Sequence, residues 1–159
     1  MDVIWSPWRY DYITKSSGPI VNDCVFCDIL QNSASDEDNF ILHRAEFNFA
    51  ILNVYPYTSG HMMVLPYEHV ASPADASKSS TDEMMDLVKM FTEKIGSVYH
   101  ADGINIGMNL GRAAGAGVAS HYHMHLLPRW VGDANFMTAI GETRTLPEDL
   151  RTTYDKLKI

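Results

Sequence analysis

The sequence predicts an α+β domain whose sheet is largely antiparallel. Three observations lead there. Short apolar runs follow one another with few helical stretches between them, so strand can return on strand without crossover helices. A long amphipathic pattern stands out, with Met84, Val88, Phe91, Ile95 and Val98 at helical spacing. The 159 residues are 46% hydrophobic and 20% charged, which suffices for one substantial core.

The elements follow in chain order. A short helix is expected from Cys27 to Gln31, and the polar, acidic stretch "QNSASDEDN" from Gln31 to Asn39 reads as an exposed loop. "NFILHR" and "EFNFAILNVYP" read as two strands with a turn near Ala45, the second ending before Pro56. A third strand runs from about His61 to Leu65, opened by Gly60 and closed by Pro66. Ser80 and Glu83 have the spacing of a capping box and should start the long helix, which runs to about His100. "GINIGMNL" is a strand entering the glycine-rich "GRAAGAG", and "HYHMHLLP" is the last strand, with Pro128 at its end. A second short helix is expected from Pro147 to Lys156. Met84, Met85 and Met90 read as core or near-core, and His43 and His100 as exposed or edge residues.

Composition narrows the function. The net charge of −8 argues against general attraction to nucleic-acid backbones or anionic membranes, so an anionic substrate would need local donors. No apolar run approaches the ~20 residues that cross a bilayer. The opening "MDVIWSPWRYDYI" lacks a basic region followed by an apolar stretch, so it does not read as a secretory signal, and the cytoplasm is the expected location. Trp5, Trp8 and Arg9 should pack on the body or on a subunit partner, with closure of the substrate site as the alternative role.

The chemistry concentrates in "SHYHMHLLPRW", Ser120 to Trp130, where His121, His123 and His125 occupy every second position. On a strand, such residues share a face and stand roughly 6.6–6.8 Å apart. Burying three imidazoles requires a hydrogen-bond partner for each, which disfavours plain packing. Two functional readings remain: zinc chelation from one strand, or a nucleophilic middle imidazole flanked by positioning groups. The adjoining loop "GMNLGRAAGAGVAS" favours the second, because backbone N–H groups in such a loop can be aimed at phosphate oxygens. Arg129 and Trp130, just beyond, are surface packing or a contact with distal phosphates or a partner subunit. The pair Cys24 and Cys27 reads as half a metal site, a redox motif or two packed thiols.

These motifs together resemble the histidine-triad family of nucleotide hydrolases and transferases, whose signature is His-φ-His-φ-His-φ-φ with φ apolar; here it stands as "HYHMHLLP". "FAILNVYPYTSGHMMVLPYEHV", "NLG…AGAGVASH" and "CVFC" extend the likeness, and "WSPWRYDYI" and "PRWVGDANFM" resemble the bacterial branch related to diadenosine-tetraphosphate phosphorylases and fragile-histidine-triad hydrolases. The resemblance implies a five-stranded antiparallel sheet with one long and one or two short helices, in a homodimer. It implies one domain over 1–159, with an N-terminal arm (1–22) and a C-terminal extension (131–159).

By position, the resemblance makes His123 the nucleophile that forms a nucleotidyl-histidine, with the carbonyl near His121 accepting from its Nδ1–H. His125 and His61 match residues that position phosphate oxygens and the leaving group, and His121 completes the catalytic set. Asn109, Ser120 and the amides of Gly115, Ala116 and Gly117 are the expected phosphate donors, and Asn53 the ribose ligand. Phe49, Ile29 and Leu30 are candidates for the base pocket, with core packing the equal alternative. Cys24, Cys27, His69 and His121 match a structural zinc site; no organic cofactor is implied. The expected substrate is a nucleotide or dinucleoside polyphosphate of the diadenosine-tetraphosphate type, cleaved by water or by inorganic phosphate, with nucleic acid and membrane excluded. The alternatives are a nucleoside phosphoramidase or nucleotidyl-sulfate hydrolase, a non-catalytic nucleotide-binding module, and a tri-histidine zinc enzyme.

Overall fold

The computed structural model describes residues 24–32, 34–140 and 146–159. Strands β1 (Ile41–Arg44), β2 (Asn48–Leu52), β3 (Met62–Pro66), β4 (Gly103–Met108) and β5 (Met124–Arg129) form one sheet in the order β1-β2-β3-β5-β4. Every neighbouring pair is antiparallel, the sheet expected from the strand pattern. The helices are α1 (Val25–Gln31), α2 (Lys78–Tyr99), a four-residue α3 (Phe136–Ala139) and α4 (Leu150–Leu157). The expected N-terminal arm, with Trp5, Trp8 and Arg9, lies outside the described residues.

Both faces of the sheet are covered, which explains why β2 and β3 read as unbroken apolar runs rather than alternating ones. On one face Ala50, Leu52, Met62, Val64, Tyr122 and Leu126 pack against Met84, Leu87, Val88, Phe91 and Ile95 of α2. On the other, Phe49, Ile51, Met63 and Leu65 pack against Cys24 and Phe26 beside α1. Tyr154 and Leu157 of α4 join the α2 face, and the N–H of Ile159 donates to the carbonyl of Leu42 at 3.0 Å. Met85, expected near the core, is 47% exposed because it falls on the outer side of α2. His43 lies on the edge strand β1 and His100 is exposed at the end of α2, as expected.

Two local boundaries moved for identifiable reasons. The long helix is capped by Ser77, whose hydroxyl accepts from the N–H of Ser80, one turn earlier than the capping-box spacing implied. Ser80 is buried instead, its hydroxyl donating to Asn48 Oδ1. Glu83 reaches across to the β1–β2 turn and accepts from the N–H groups of Glu46 and Phe47 and from Asn48 Nδ2. A tertiary demand outbid the local cap. The second strand stops at Leu52 because Asn53 Oδ1 accepts from the Tyr55 N–H and turns the chain.

Gly60 sits at φ +78, and a Cβ there would stand 2.9 Å from Pro128 Cγ and from the Tyr99 ring. This close approach seats the 57–61 turn against β5 and so places His61 behind the triad strand.

Candidate active site

Ladder pairing of β5 begins at Met124, so His121 and His123 lie in the extended run that feeds it. That run is fixed by the Tyr122 N–H, which donates to the Val70 carbonyl at 2.9 Å. Side-chain alternation nevertheless holds. His125 pairs with Met63 on the α1 face, and Tyr122 is buried in the α2 core. The Phe26 ring spans the row at 5.5 Å from the His121 ring and 5.3 Å from the His123 ring. His123 and His125 meet edge to face at 4.8 Å.

The hydrogen bonds assign the tautomer of each imidazole. His123 Nδ1 lies 3.0 Å from the His121 carbonyl, which can only accept, so Nδ1 carries the hydrogen and Nε2 keeps its lone pair. His61 Nδ1 accepts from the Tyr57 N–H at 3.1 Å, which puts its hydrogen on Nε2. That Nε2–H donates to His125 Nδ1 at 2.9 Å. His125 therefore carries its own hydrogen on Nε2. The result is a lone pair on His123 and an N–H on His125, on two rings that line one pocket of about 140 Å³.

Burial keeps this network neutral. It pushes His123 below the ordinary imidazole value, opposed by the bond to the His121 carbonyl. Burial, reinforced by the neighbouring histidines, lowers His125 to about 4 and His61 to about 3. At neutral pH His123 is thus a free base, as nucleophilic attack requires.

The pocket gathers several expected residues and leaves others out. Asn53, Asn109, Gly115, Gly117 and Ile29 line it with His123 and His125. His61 stands one layer back, 1% exposed, and acts on His125 rather than on a ligand. The His121 ring also faces away; what it gives the pocket is its carbonyl. Phe49, expected to touch substrate, is fully buried and stacks on Tyr67 at 5.5 Å, so it is a core residue beneath the site. Ala116 and Ser120 lie outside the lining, as does Leu30. The glycine-rich loop is wound more tightly than expected. The amides of Gly115 and Ala116 donate to the carbonyls of Arg112 and Gly111, which occupies two of the anticipated phosphate donors. Phe26, Val25, Val54 and Tyr57 were missed as pocket residues. Val25 and Ile29 stand four apart on α1, and that helical spacing was the available signal.

Beside the pocket, Cys24 Sγ, Cys27 Sγ, His69 Nδ1 and His121 Nδ1 all lie within 4.8 Å of one another. The individual approaches are 3.4 Å for Cys24–His121, 3.7 Å for Cys27–His121 and 3.2 Å for Cys27–His69. A tetrahedral zinc with ordinary Zn–S and Zn–N bonds sets sulfur and nitrogen about 3.5 Å apart, so the donor set fits with small closure. His121 Nε2 lies 2.9 Å from the Pro66 carbonyl and carries its hydrogen there, leaving Nδ1 as a ligand lone pair. Burial and the Cys24 thiol alongside push the Cys27 thiol up to about 11, so a thiolate pair calls for a cation between them. Arg129, for which surface packing, distal phosphates or a partner subunit were the expected contacts, is held by Asp133 and Asn105.

Known proteins are similar to this chain in sequence and in fold. The chain is 37% identical over 158 residues to an AP-4-A phosphorylase from Mycobacterium tuberculosis, covering 94% of this chain and 79% of that one. A zinc-bound histidine triad family protein from Mycobacterium smegmatis superposes with a TM-score of 0.68 at 28% identity, covering 85% of this chain and 90% of that one. A hypothetical histidine triad nucleotide-binding protein from Sulfolobus tokodaii gives 0.65 at 28% identity, over 84% and 91%. The family model described as HIT domain matches residues 34–131, which contain the sheet, the long helix and all three triad histidines, and the chain belongs to that histidine-triad family.

Proposed function

We propose that this histidine-triad enzyme cleaves dinucleoside polyphosphates of the diadenosine-tetraphosphate type through a nucleotidyl intermediate on His123. The observation that carries the reading is the pairing of the His123 Nε2 lone pair with the His125 Nε2–H at one pocket. Nε2 of His123 attacks the α-phosphorus, an N–P bond forms, and the P–O bond to the leaving polyphosphate breaks. The His125 Nε2–H donates to the leaving oxygen, while the His121 carbonyl holds Nδ1–H of the ring that becomes cationic. In-line attack by a positioned group replaces one difficult transfer by two easier ones. Water or inorganic phosphate then attacks the same phosphorus, the N–P bond breaks and neutral His123 returns; where the attacker is water, its proton passes to solvent. Asn109 and the Gly117 segment face the phosphates, and Asn53 the ribose. Val25, Phe26 and Ile29 on one wall and Val54 on the other flank the base.

Cys24, Cys27, His69 and His121 are suited to hold a structural zinc, whose charge would keep both thiols ionised and tie α1 to the triad strand. The two cysteines are free thiols, which suits a reducing cytoplasm. Among the described residues no helix is long and apolar enough to cross a membrane. A homodimer is supported by the sheet's edge strand β4, where Ile106 is 46% exposed and Leu110, just beyond it, 45%. The whole chain, 1–159, is read as one such unit.

The test is incubation with diadenosine tetraphosphate, with and without inorganic phosphate. ADP plus ATP formed only with phosphate marks phosphorolysis; AMP plus ATP marks hydrolysis. Turnover of adenosine phosphoramidate or adenylyl sulfate but not of the dinucleotide overturns the substrate class and keeps the chemistry.

A further inference from the structure

A second, larger cavity lies beside the triad pocket. It has a volume of about 440 Å³ and is lined by Tyr57, Ser59, Tyr99, Trp130, Asp133 and Glu148, among others. Tyr57 is shared with the reacting pocket. Its ring lies 4.8 Å from the His61 ring and 6.3 Å from that of His125, whose Nε2–H is placed to donate a hydrogen bond to a departing oxygen. The Tyr57 side chain therefore borders both spaces.

The wall chemistry selects an occupant. Trp130 and Tyr99 meet edge to face at 6.2 Å and give the cavity two aromatic rings. Both carboxylates are committed within the protein. Asp133 accepts from Arg129, and Glu148 from Lys156, from the Tyr99 hydroxyl at 2.5 Å and from Thr153. With acids in the wall and their cations drawn off to pair with them, phosphate is not favoured here; a neutral, flat, hydrogen-bonding group is. Ser59 supplies an independent sign. Its Oγ is buried, the residue is 8% exposed, and the hydroxyl has no hydrogen-bond partner among the described residues, although buried hydroxyls almost always have one. Ser59 lines the cavity, and rotation about its χ1 would let the hydroxyl meet the edge of a ligand there.

We infer that the cavity between Trp130, Tyr99 and Ser59 is a subsite for the second nucleoside of a dinucleoside polyphosphate, the phosphate chain crossing from His123 past Tyr57. This rests on the proposed function and adds where the leaving nucleotide is recognised. The enzyme would then select substrates with a nucleoside at both ends.

The experiment compares diadenosine tetraphosphate with adenosine 5′-tetraphosphate, which has the same phosphates and one nucleoside. The wild type is expected to favour the dinucleotide in kcat/KM by about tenfold or more, the usual worth of one stacked base. Trp130→Leu and Ser59→Ala should each lower kcat/KM for the dinucleotide and leave the mononucleotide within twofold, so that the preference collapses. Retained mononucleotide turnover also shows that the variants fold; if Trp130→Leu does not, Ser59→Ala decides. A wild-type ratio near one, or a ratio unmoved by Ser59→Ala and Trp130→Leu, overturns the subsite. If the wild type cleaves neither nucleotide, the proposed function fails. The subsite is then decided by calorimetric titration with adenosine: two sites per chain falling to one in Ser59→Ala support it, and one site in both overturns it.

Discussion

His121 and His123 are two residues apart on one extended run, yet the protein uses opposite ring nitrogens. His121 gives its Nε2–H to the Pro66 carbonyl and turns Nδ1 toward two cysteines. His123 gives its Nδ1–H to the His121 carbonyl and turns Nε2 to the pocket. In both, a backbone carbonyl holds the single hydrogen of a neutral ring, and the opposite nitrogen is left with a lone pair aimed at a chosen electrophile. On the proposed function, that electrophile is a metal ion toward the cysteines and phosphorus toward the pocket. On that reading, a structural histidine differs from a reactive one in which carbonyl it meets, and His121 supplies both a ligand atom and the carbonyl that orients its neighbour.

Breaking the pocket side should cost most. His123→Asn removes the lone pair while keeping a similar volume, and turnover should fall by about four orders of magnitude, read as single-turnover rates on diadenosine tetraphosphate. His125→Ala, which removes only the donor, should cost roughly 10²–10³-fold. That loss should shrink for a leaving group whose departing oxygen gathers less charge. Equal losses on good and poor leaving groups would remove the assignment of the His125 Nε2–H as hydrogen-bond donor to that oxygen.

Breaking the metal side should separate structure from chemistry. Cys24→Ser with Cys27→Ser should abolish stoichiometric zinc by elemental analysis and lower Tm. It should reduce kcat/KM by only about 10–100-fold, the usual reach of an orienting shell. A loss as deep as that of His123→Asn would mean that the two regions are not separable.

Acid should sharpen the contrast most gently. His61 and His125 are buried neutral, with values near 3 and 4 against 6.5 for an exposed histidine. Their values are lowered on folding, so the unfolded chain binds protons first as pH falls. Stability is full above pH 6.5 and should decline from there toward pH 4, by up to about 1.4 kcal/mol per pH unit for each histidine. Denaturant midpoints from pH 7 to pH 4 would measure it. In His61→Asn the slope should become shallower; an unchanged slope would mean that His61 is not buried neutral.

Much of this was legible without coordinates. Five strands, the long helix and the order of elements followed from apolar spacing and turn residues, because those report local conformation and burial directly. The triad and the Cys24–Cys27 pair stood out by spacing, while Asn53, Asn109, His69 and the second role of His121 came from the resemblance; the fold brings Asn53 and Asn109 to one pocket with His123 and His125, and gathers the Cys and His donor atoms within 4.8 Å of one another. Helix α2 was begun one turn late because Glu83 answers to Asn48 and the β1–β2 turn, partners about 35 residues away. Phe49 stayed open between base pocket and core, because an aromatic beside a pocket and one beneath it have the same sequence signature; the fold puts it in the core.

The chain by itself thus determined which groups exist and roughly which face each occupies. Only the tertiary structure decided what those groups can do. It brought a carbonyl to one nitrogen of each imidazole, set His61 behind His125 instead of beside the ligand, and turned two loop amides inward. It also enclosed a second cavity between residues as distant in sequence as Ser59 and Trp130. The reason is that a ring's tautomer, an amide's partner and a cavity's wall are properties of pairs of groups far apart along the chain, and a one-dimensional pattern carries no distance between them.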